Sequence, residues 1–151
     1  MYIVGNYSNR NPDSEKIITT MELIDTIARN IIMNMMIATY PKIEVIAGRC
    51  RYNFRCSYNV VHDAITDNQN KIAMGFYIDG GHPIIHFLNI DDAGNYVDNT
   101  LGHWAIQHKY YLVRVIDKNS FFQVNDIFTA YRKELRKKLP WIVRLLSDCQ
   151  F

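Results

Sequence analysis

The stretch that most restricts what this chain can fold into is His82 to Thr100, HPIIHFLNIDDAGNYVDNT. Ile84 to Ile90 is apolar apart from His86 and Asn89 and reads as a β-strand. Asn95 to Thr100 reads as a second strand, with Asp98 beside Val97. Asp92-Ala93-Gly94 between them is turn chemistry, and Gly94 is free to take the positive φ that closes a short hairpin loop. His86 and Asp98 are equidistant from Asp92, so a hairpin turning there sets them side by side on neighbouring strands. A carboxylate beside an imidazole fixes its tautomer and steadies its protonated form. The rest of the chain is read by asking what such an imidazole would act on.

The chain has 151 residues, of which 48% are apolar and 21% charged, as expected of one globular domain spanning residues 1–151. That balance excludes a disordered chain, and a net charge of +2 does not single out a partner. The longest apolar run, Ile31–Ala38, is broken by Asn34, so no membrane span is expected. The opening MYIVGNYSNRNPDSEK lacks the basic start and apolar core of a secretion signal. Cys50, Cys56 and Cys149 form an odd set without a framework spacing, which favours a reducing compartment, and a cytoplasmic location is expected.

Residues 7–14 are polar and turn-rich, with Asp13 or Ser14 placed to cap a helix. From about Thr20 to Tyr40, apolar residues from Met21 to Met36 recur every three or four places, predicting an amphipathic helix with a broad buried face, ended by Pro41. Lys42 to Gly48 suits a short strand or extended link. The spacing after Cys56 predicts a helix of about three turns with Cys56 near its start. Ile72–Ile78 is the next strand, with Asp79-Gly80-Gly81 as its turn, and Leu101 to Trp104 is a loop before the strand Tyr110–Ile116. A long helix from Phe121 to about Leu139 follows, capped by Asn119 or Ser120, then a short helix packing Trp141, Val143 and Leu146. The plan is α+β, with helices packed on an antiparallel β-meander.

A thiol attacks only as thiolate, and both a helix N-terminus and a nearby imidazolium lower its pKa. Cys56, heading a helix packed on the sheet that carries His86 and Asp98, meets both conditions. The roles that follow are Cys56 as nucleophile, His86 as base and then acid, and Asp98 as the group that orients the ring. The Cys56 backbone N–H supplies one oxyanion donor, and Asn53, Tyr52 and Asn59 are within sequence reach of the second position.

The order Cys, His, Asp, with the cysteine opening a helix and the others on successive strands, resembles the papain-like and transglutaminase-like superfamily. Gly75-Phe76, His86-Phe87-Leu88 and Asp98-Asn99-Thr100 are similar to that superfamily's GY strand, H-A-W strand and D-P-T strand end. Cys56-Ser57-Tyr58-Asn59 resembles its nucleophile helix start, and the likeness spans about Arg49 to Val115. It departs at Leu88, at Asn99 and in having no glutamine before Cys56. The resemblance implies a papain/transglutaminase-like core. It also implies a thiol hydrolase or acyltransferase (peptidase, deamidase or transglutaminase-like) that needs no cofactor and acts on a protein, peptide or small amide substrate.

Each residue has a plainer reading. His86 alone would be a hydrogen-bonded core residue, Asp98 a carboxylate bonded to turn amides, and Cys56 a small buried hydrophobe. Cys50 is the rival thiol, lying before the helix rather than at its head. A zinc site from Cys50, Cys56, His62 and His82 is disfavoured because the cysteine spacing matches no common knuckle. His62, His103 and His108 read as surface or loop residues, and Gly80-Gly81 as turn geometry rather than a phosphate cradle. The closing helix holds Arg132, Lys133, Arg136, Lys137, Lys138 and Arg144 against Glu134. Its basic face is the basis for the alternative class, a binding protein that engages an acidic or nucleic-acid partner. The missing aromatic-basic stripe on any one strand argues against nucleic acid.

Overall fold

The computed structural model describes residues 12–51 and 55–148, with side chains from Thr20 onward. Tyr52, Asn53 and Cys149 lie outside the described residues. The first helix, α1 (Pro12–Thr39), begins earlier than its apolar period suggests, and Asp13 and Ser14 fall inside it rather than at its cap. Proline is tolerated in a first helical turn because the N–H it lacks has no partner there. The residue before Pro41 is disfavoured in the helical region, and the helix stops at Thr39. Its buried stripe is narrower than the sequence pattern implies. Ala28, Ile32 and Met36 are fully buried at i, i+4 spacing, whereas Met21, Leu23 and Ile27 remain exposed. Ile31 and Met35, half-buried beside that line, complete the contact with the core.

Beyond α1 come β1 (Lys42–Ile43), β2 (Val45–Ala47), α2 (Cys56–Thr66), β3 (Lys71–Asp79), β4 (His82–Ile90), β5 (Tyr96–Asp98) and β6 (Tyr110–Asp117). They form one six-stranded sheet in the order β1-β6-β3-β4-β5-β2. The expected meander holds only for β3, β4 and β5. Strand β6 returns to the far side of β3, and β2 runs parallel to β5. A 3-10 segment, Gly102–Gln107, makes that return across one face of the sheet, where Ala105 is buried. Because β1 and β2 are the two outermost strands yet adjoin in sequence, the extended segment 42–47 closes the seam of a curled sheet.

Side chains alternate between two layers, as strand geometry requires. On one face Ile72, Met74, Phe76, Ile85, Phe87 and Ile116 meet the helices. On the other, Ala73, Leu88 and Tyr110 pack with Ala105. The β3–β4 hairpin closes on Gly80 and Gly81, both at positive φ. The long helix expected from Phe121 is two pieces, a 3-10 turn at Lys118–Gln123 and α3 (Val124–Lys138).

The last helix, α4 (Trp141–Leu146), corrects the expectation that three of its side chains pack. Val143 meets the core, while Trp141 and Leu146 are exposed, since so short a helix turns one stripe inward. Two cations of the basic helix are engaged within the fold. Arg136 donates to the carbonyls of Arg144 and Ser147 at 3.2 and 2.9 Å, and Arg132 lies over the Phe128 ring. Lys133, Lys137 and Lys138 stay exposed. No helix among the described residues is long and apolar enough to cross a membrane.

Candidate functional site

The site is built on β4. Period-two alternation turns Ile85, Phe87 and Asn89 toward the helices, and His86, Leu88 and Ile90 toward the opposite layer. The hairpin register pairs Ile90 with Tyr96 and Asn89 with Val97, which centres the turn on Ala93, one residue beyond Asp92. In that register Asp98 falls level with Leu88, two residues from His86 on the same face, rather than directly beside it. A diagonal of this kind is within reach of side chains this size. His86 Nε2 lies 2.8 Å from Asp98 Oδ2. The carboxylate sits off the ring's N–H direction, so the attraction is that of an ion pair more than of a straight hydrogen bond.

Asp98 is completely buried, and all its contacts hold it in one orientation. Oδ1 accepts the backbone N–H groups of Thr100 and Leu101 at 2.9 and 2.8 Å, and Oδ2 accepts the Tyr110 hydroxyl at 2.8 Å. Tyr77 sets its ring edge-on to His86 at 5.4 Å. Burial drives the Tyr77 phenol up to about 12, with negative charge at Asp79, Asp98 and Cys56 adding to the effect, so it stays protonated. Neither tyrosine stood out in the sequence, because strand register alone brings both to this layer.

Cys56 is the first residue of α2, whose N-cap residue Arg55 makes no side-chain cap. The first-turn N–H groups are therefore not taken up by a capping side chain. The helix packs Val60 and Ala64 on the sheet, and Asn89 donates to the Val60 carbonyl at 3.0 Å. The thiol sits within hydrogen-bond reach of the His86 ring and of the backbone N–H groups of Ser57 and Phe87. With Nε2 turned to Asp98, Nδ1 is the ring atom left for the sulfur. Although α2 lies on one face of the sheet and His86 points from the other, β5 reaches only Asn89 and Ile90. The thiol meets Phe87 and His86 at the stretch of β4 edge beyond it.

The protonation states follow from these contacts. Burial pushes the Cys56 thiol up, but the His86 hydrogen bond and charge and the two backbone donors outweigh it and bring the thiol below its ordinary value. Burial pushes His86 down, and Asp98 with Cys56 overcomes it, raising the imidazole to about 9. Asp98 is raised by burial and lowered more by His86, the Leu101 N–H and Tyr110, ending below the usual carboxylate range. Both shifts favour the thiolate–imidazolium form of the pair.

Asn59 is fully buried one turn along α2, and its amide donates to Thr100 Oγ1 at 3.1 Å, tying the helix to the end of β5. The chain before α2 is fixed to the same region. Gly48 and Arg51 donate backbone N–H groups to the Asp98 and Thr100 carbonyls, each at 3.0 Å. The Arg51 guanidinium pairs with buried Asp63 of α2, which also has Arg49 at 3.9 Å. A side chain at Gly48 would run into Asn99, so glycine is required there. Cys50 is bridged to Leu101 rather than set at a helix head. His62 and His103 are exposed, and His108 packs on Tyr77 at 4.6 Å. Among the described residues no three histidine, cysteine or acidic side chains converge as a metal site.

Comparison with known proteins finds no family model, no curated protein and no solved structure that matches this chain. The reading of the site rests on its geometry.

Proposed function

We propose that the protein is a cysteine hydrolase or acyltransferase that opens an amide or related acyl bond through a thioester on Cys56. The observation that supports this is the contact of a helix-head thiol with a buried histidine whose other nitrogen faces a buried carboxylate. The Cys56 thiolate attacks the carbonyl carbon, forming a C–S bond and moving charge onto the carbonyl oxygen. The Cys56 backbone N–H, at the positive end of α2, is the donor placed for that oxygen. Collapse breaks the bond to the leaving amine, which takes the His86 proton. Water or a second amine then attacks the thioester, gives its proton to His86 and releases the thiolate. Asp98 holds the ring turned to the sulfur through both steps.

The basic α3 face, the basis for a purely binding role, has Arg132 and Arg136 engaged within the fold. A burst experiment tests the proposal. With p-nitrophenyl acetate the protein should release one equivalent of p-nitrophenolate rapidly and carry an acetyl group on Cys56 by mass. The Cys56→Ala protein should give neither. An acetyl group found only on lysines would refute the thioester.

A further inference from the structure

Strand β4 is fully paired on one side only. Strand β3 accompanies it from His82 to Asn89. On the other side β5 pairs with Asn89 and Ile90 alone, and no strand among the described residues pairs with that edge from His82 to Leu88. Alternation decides which backbone groups lie there. The two-residue turn Gly80-Gly81 sets Asp79 opposite His82, and backbone bonds to β3 then recur at every second residue, at Ile84, His86 and Leu88. The N–H and C=O groups of Ile85 and Phe87 therefore point to the open edge. The Phe87 N–H is the one that reaches the Cys56 sulfur, as this alternation requires. Pro83, which has no N–H to give, belongs to the same set, and a strand tolerates proline where that side is unpaired.

We infer that the open edge of β4 holds the substrate, an extended polypeptide that joins the sheet as a further strand through the N–H and C=O of Ile85. The inference rests on Cys56 being the nucleophile proposed above, and it narrows the substrate from any amide to a stretch of peptide main chain. Three observations carry it. The backbone donor and acceptor of Ile85 stand one two-residue repeat, about 7 Å, from the Phe87 N–H. The sulfur on that N–H thus occupies the next rung of the ladder that an added strand would form, and a peptide residue bonded at Ile85 brings a neighbouring acyl group to it. Ile84, on the His86 face of the strand, is 38% exposed, so the residues flanking the paired one would cover apolar surface there. The edge is also short, with Pro83 at one end and the Cys56 contact at the other. It suits a single peptide segment held by main-chain bonds, and proline is a device that blocks the pairing of whole sheets.

The test uses acetyl-tetra-alanyl chloromethyl ketone and its four forms carrying one N-methyl group each. In every case the Cys56 thiolate forms a C–S bond as chloride leaves, and each methyl removes one main-chain donor without changing a side chain. Labelling of Cys56, identified by peptide mass, should slow about tenfold or more when the methyl falls on the residue opposite Ile85. It should hardly change when the methyl falls on either neighbour, whose N–H points away from β4. Equal rates for all five reagents, or a slowing shared by adjacent positions, overturn the inference. Hydrogen exchange locates the pairing in the native chain. The Ile85 amide should exchange about tenfold or more slowly in the tetra-alanyl adduct than in protein alkylated by iodoacetamide, with the Ile84 amide, bonded to β3, as the unchanged reference. Equal exchange at Ile85 in the two adducts also overturns the inference. Iodoacetamide, which offers no strand to pair, reads the thiol separately. Labelling of Cys56 at the rate of an ordinary thiol would overturn the thioester chemistry, while the methyl pattern and the Ile85 exchange would still judge the edge.

Discussion

Replacing Asp98 by asparagine separates charge from shape in the buried pair. An imidazole held at about 9 against 6.5 when free favours its charged form by about 3 kcal/mol, shared between Asp98 and Cys56. Asparagine can still accept the Thr100 and Leu101 N–H groups through Oδ1, but its other end is neutral. A neutral amide is also easier to bury than a carboxylate, which trims the loss. The net cost of Asp98→Asn should be about 2 kcal/mol at pH 6. The sign of its pH dependence is fixed by the two shifts. Stabilisation from a raised histidine is complete below about 6.5 and fades as pH climbs through 9. Stabilisation from a lowered carboxylate requires pH above the free-carboxylate range of about 4 and is lost as pH falls through the folded value. The deficit of the variant should therefore be largest near pH 5–6.5 and shrink to about 1 kcal/mol above pH 9. Urea titrations of both proteins at pH 6 and pH 9.5, compared at equal slope, measure it. An equal deficit at the two pH values would refute the account, because the ion pair would then contribute nothing that titrates.

Other outcomes follow from the same geometry. Cys56 should react with iodoacetamide well below the pH at which a free thiol does, and His86→Ala should move that profile upward, as read by intact mass across a pH series. Tyr110→Phe removes one donor to a buried carboxylate and should cost about 1–3 kcal/mol in urea titration. Gly75 faces His86 across the β3–β4 ladder, and a Cβ there would lie 2.5 Å from the Tyr111 carbonyl oxygen. Gly75→Ala should lose about 1–3 kcal/mol, seen as a lowered melting temperature, and an unchanged melt would contradict the close approach.

The parts of the site that were legible in the sequence are those fixed by local periodicity. An apolar run bounded by turn residues gives β4, and the three-and-four spacing after Cys56 gives α2. Alternation then puts His86 and Asp98 on one face even though the turn centre is one residue from where Asp92 suggests. What the sequence could not give depends on pairing between distant segments. Nothing in YYLVRVI says that Tyr110 will face Asp98. Its position follows from β6 pairing with β3 after the chain crosses the sheet. The split of 42–47 into the two outermost strands is likewise a property of sheet closure, not of the segment. The exposed apolar residues of α1 and α4 show the same limit, since a helical period tells which residues share a stripe but not how much of it is covered.

The shortness of β5 connects the fold to the chemistry. A strand long enough to pair all of β4 would engage the Phe87 backbone N–H in a ladder and close the edge where the thiol now sits. Strand β5 instead ends at Asp98, and its last carboxylate turns back to bind the Thr100 and Leu101 amides. The end of the strand thereby leaves an N–H for the sulfur and places a carboxylate on the far nitrogen of the histidine. Helix α2 could not reach His86 through the sheet, whose layers are close-packed. It reaches the histidine at the edge, held there by the Asn59–Thr100 and Arg51–Asp63 contacts that tie its first turns to the end of β5 and to the segment before the helix. The thiol is therefore lowered first by the imidazole, and the backbone N–H groups of Phe87 and Ser57 add to that effect.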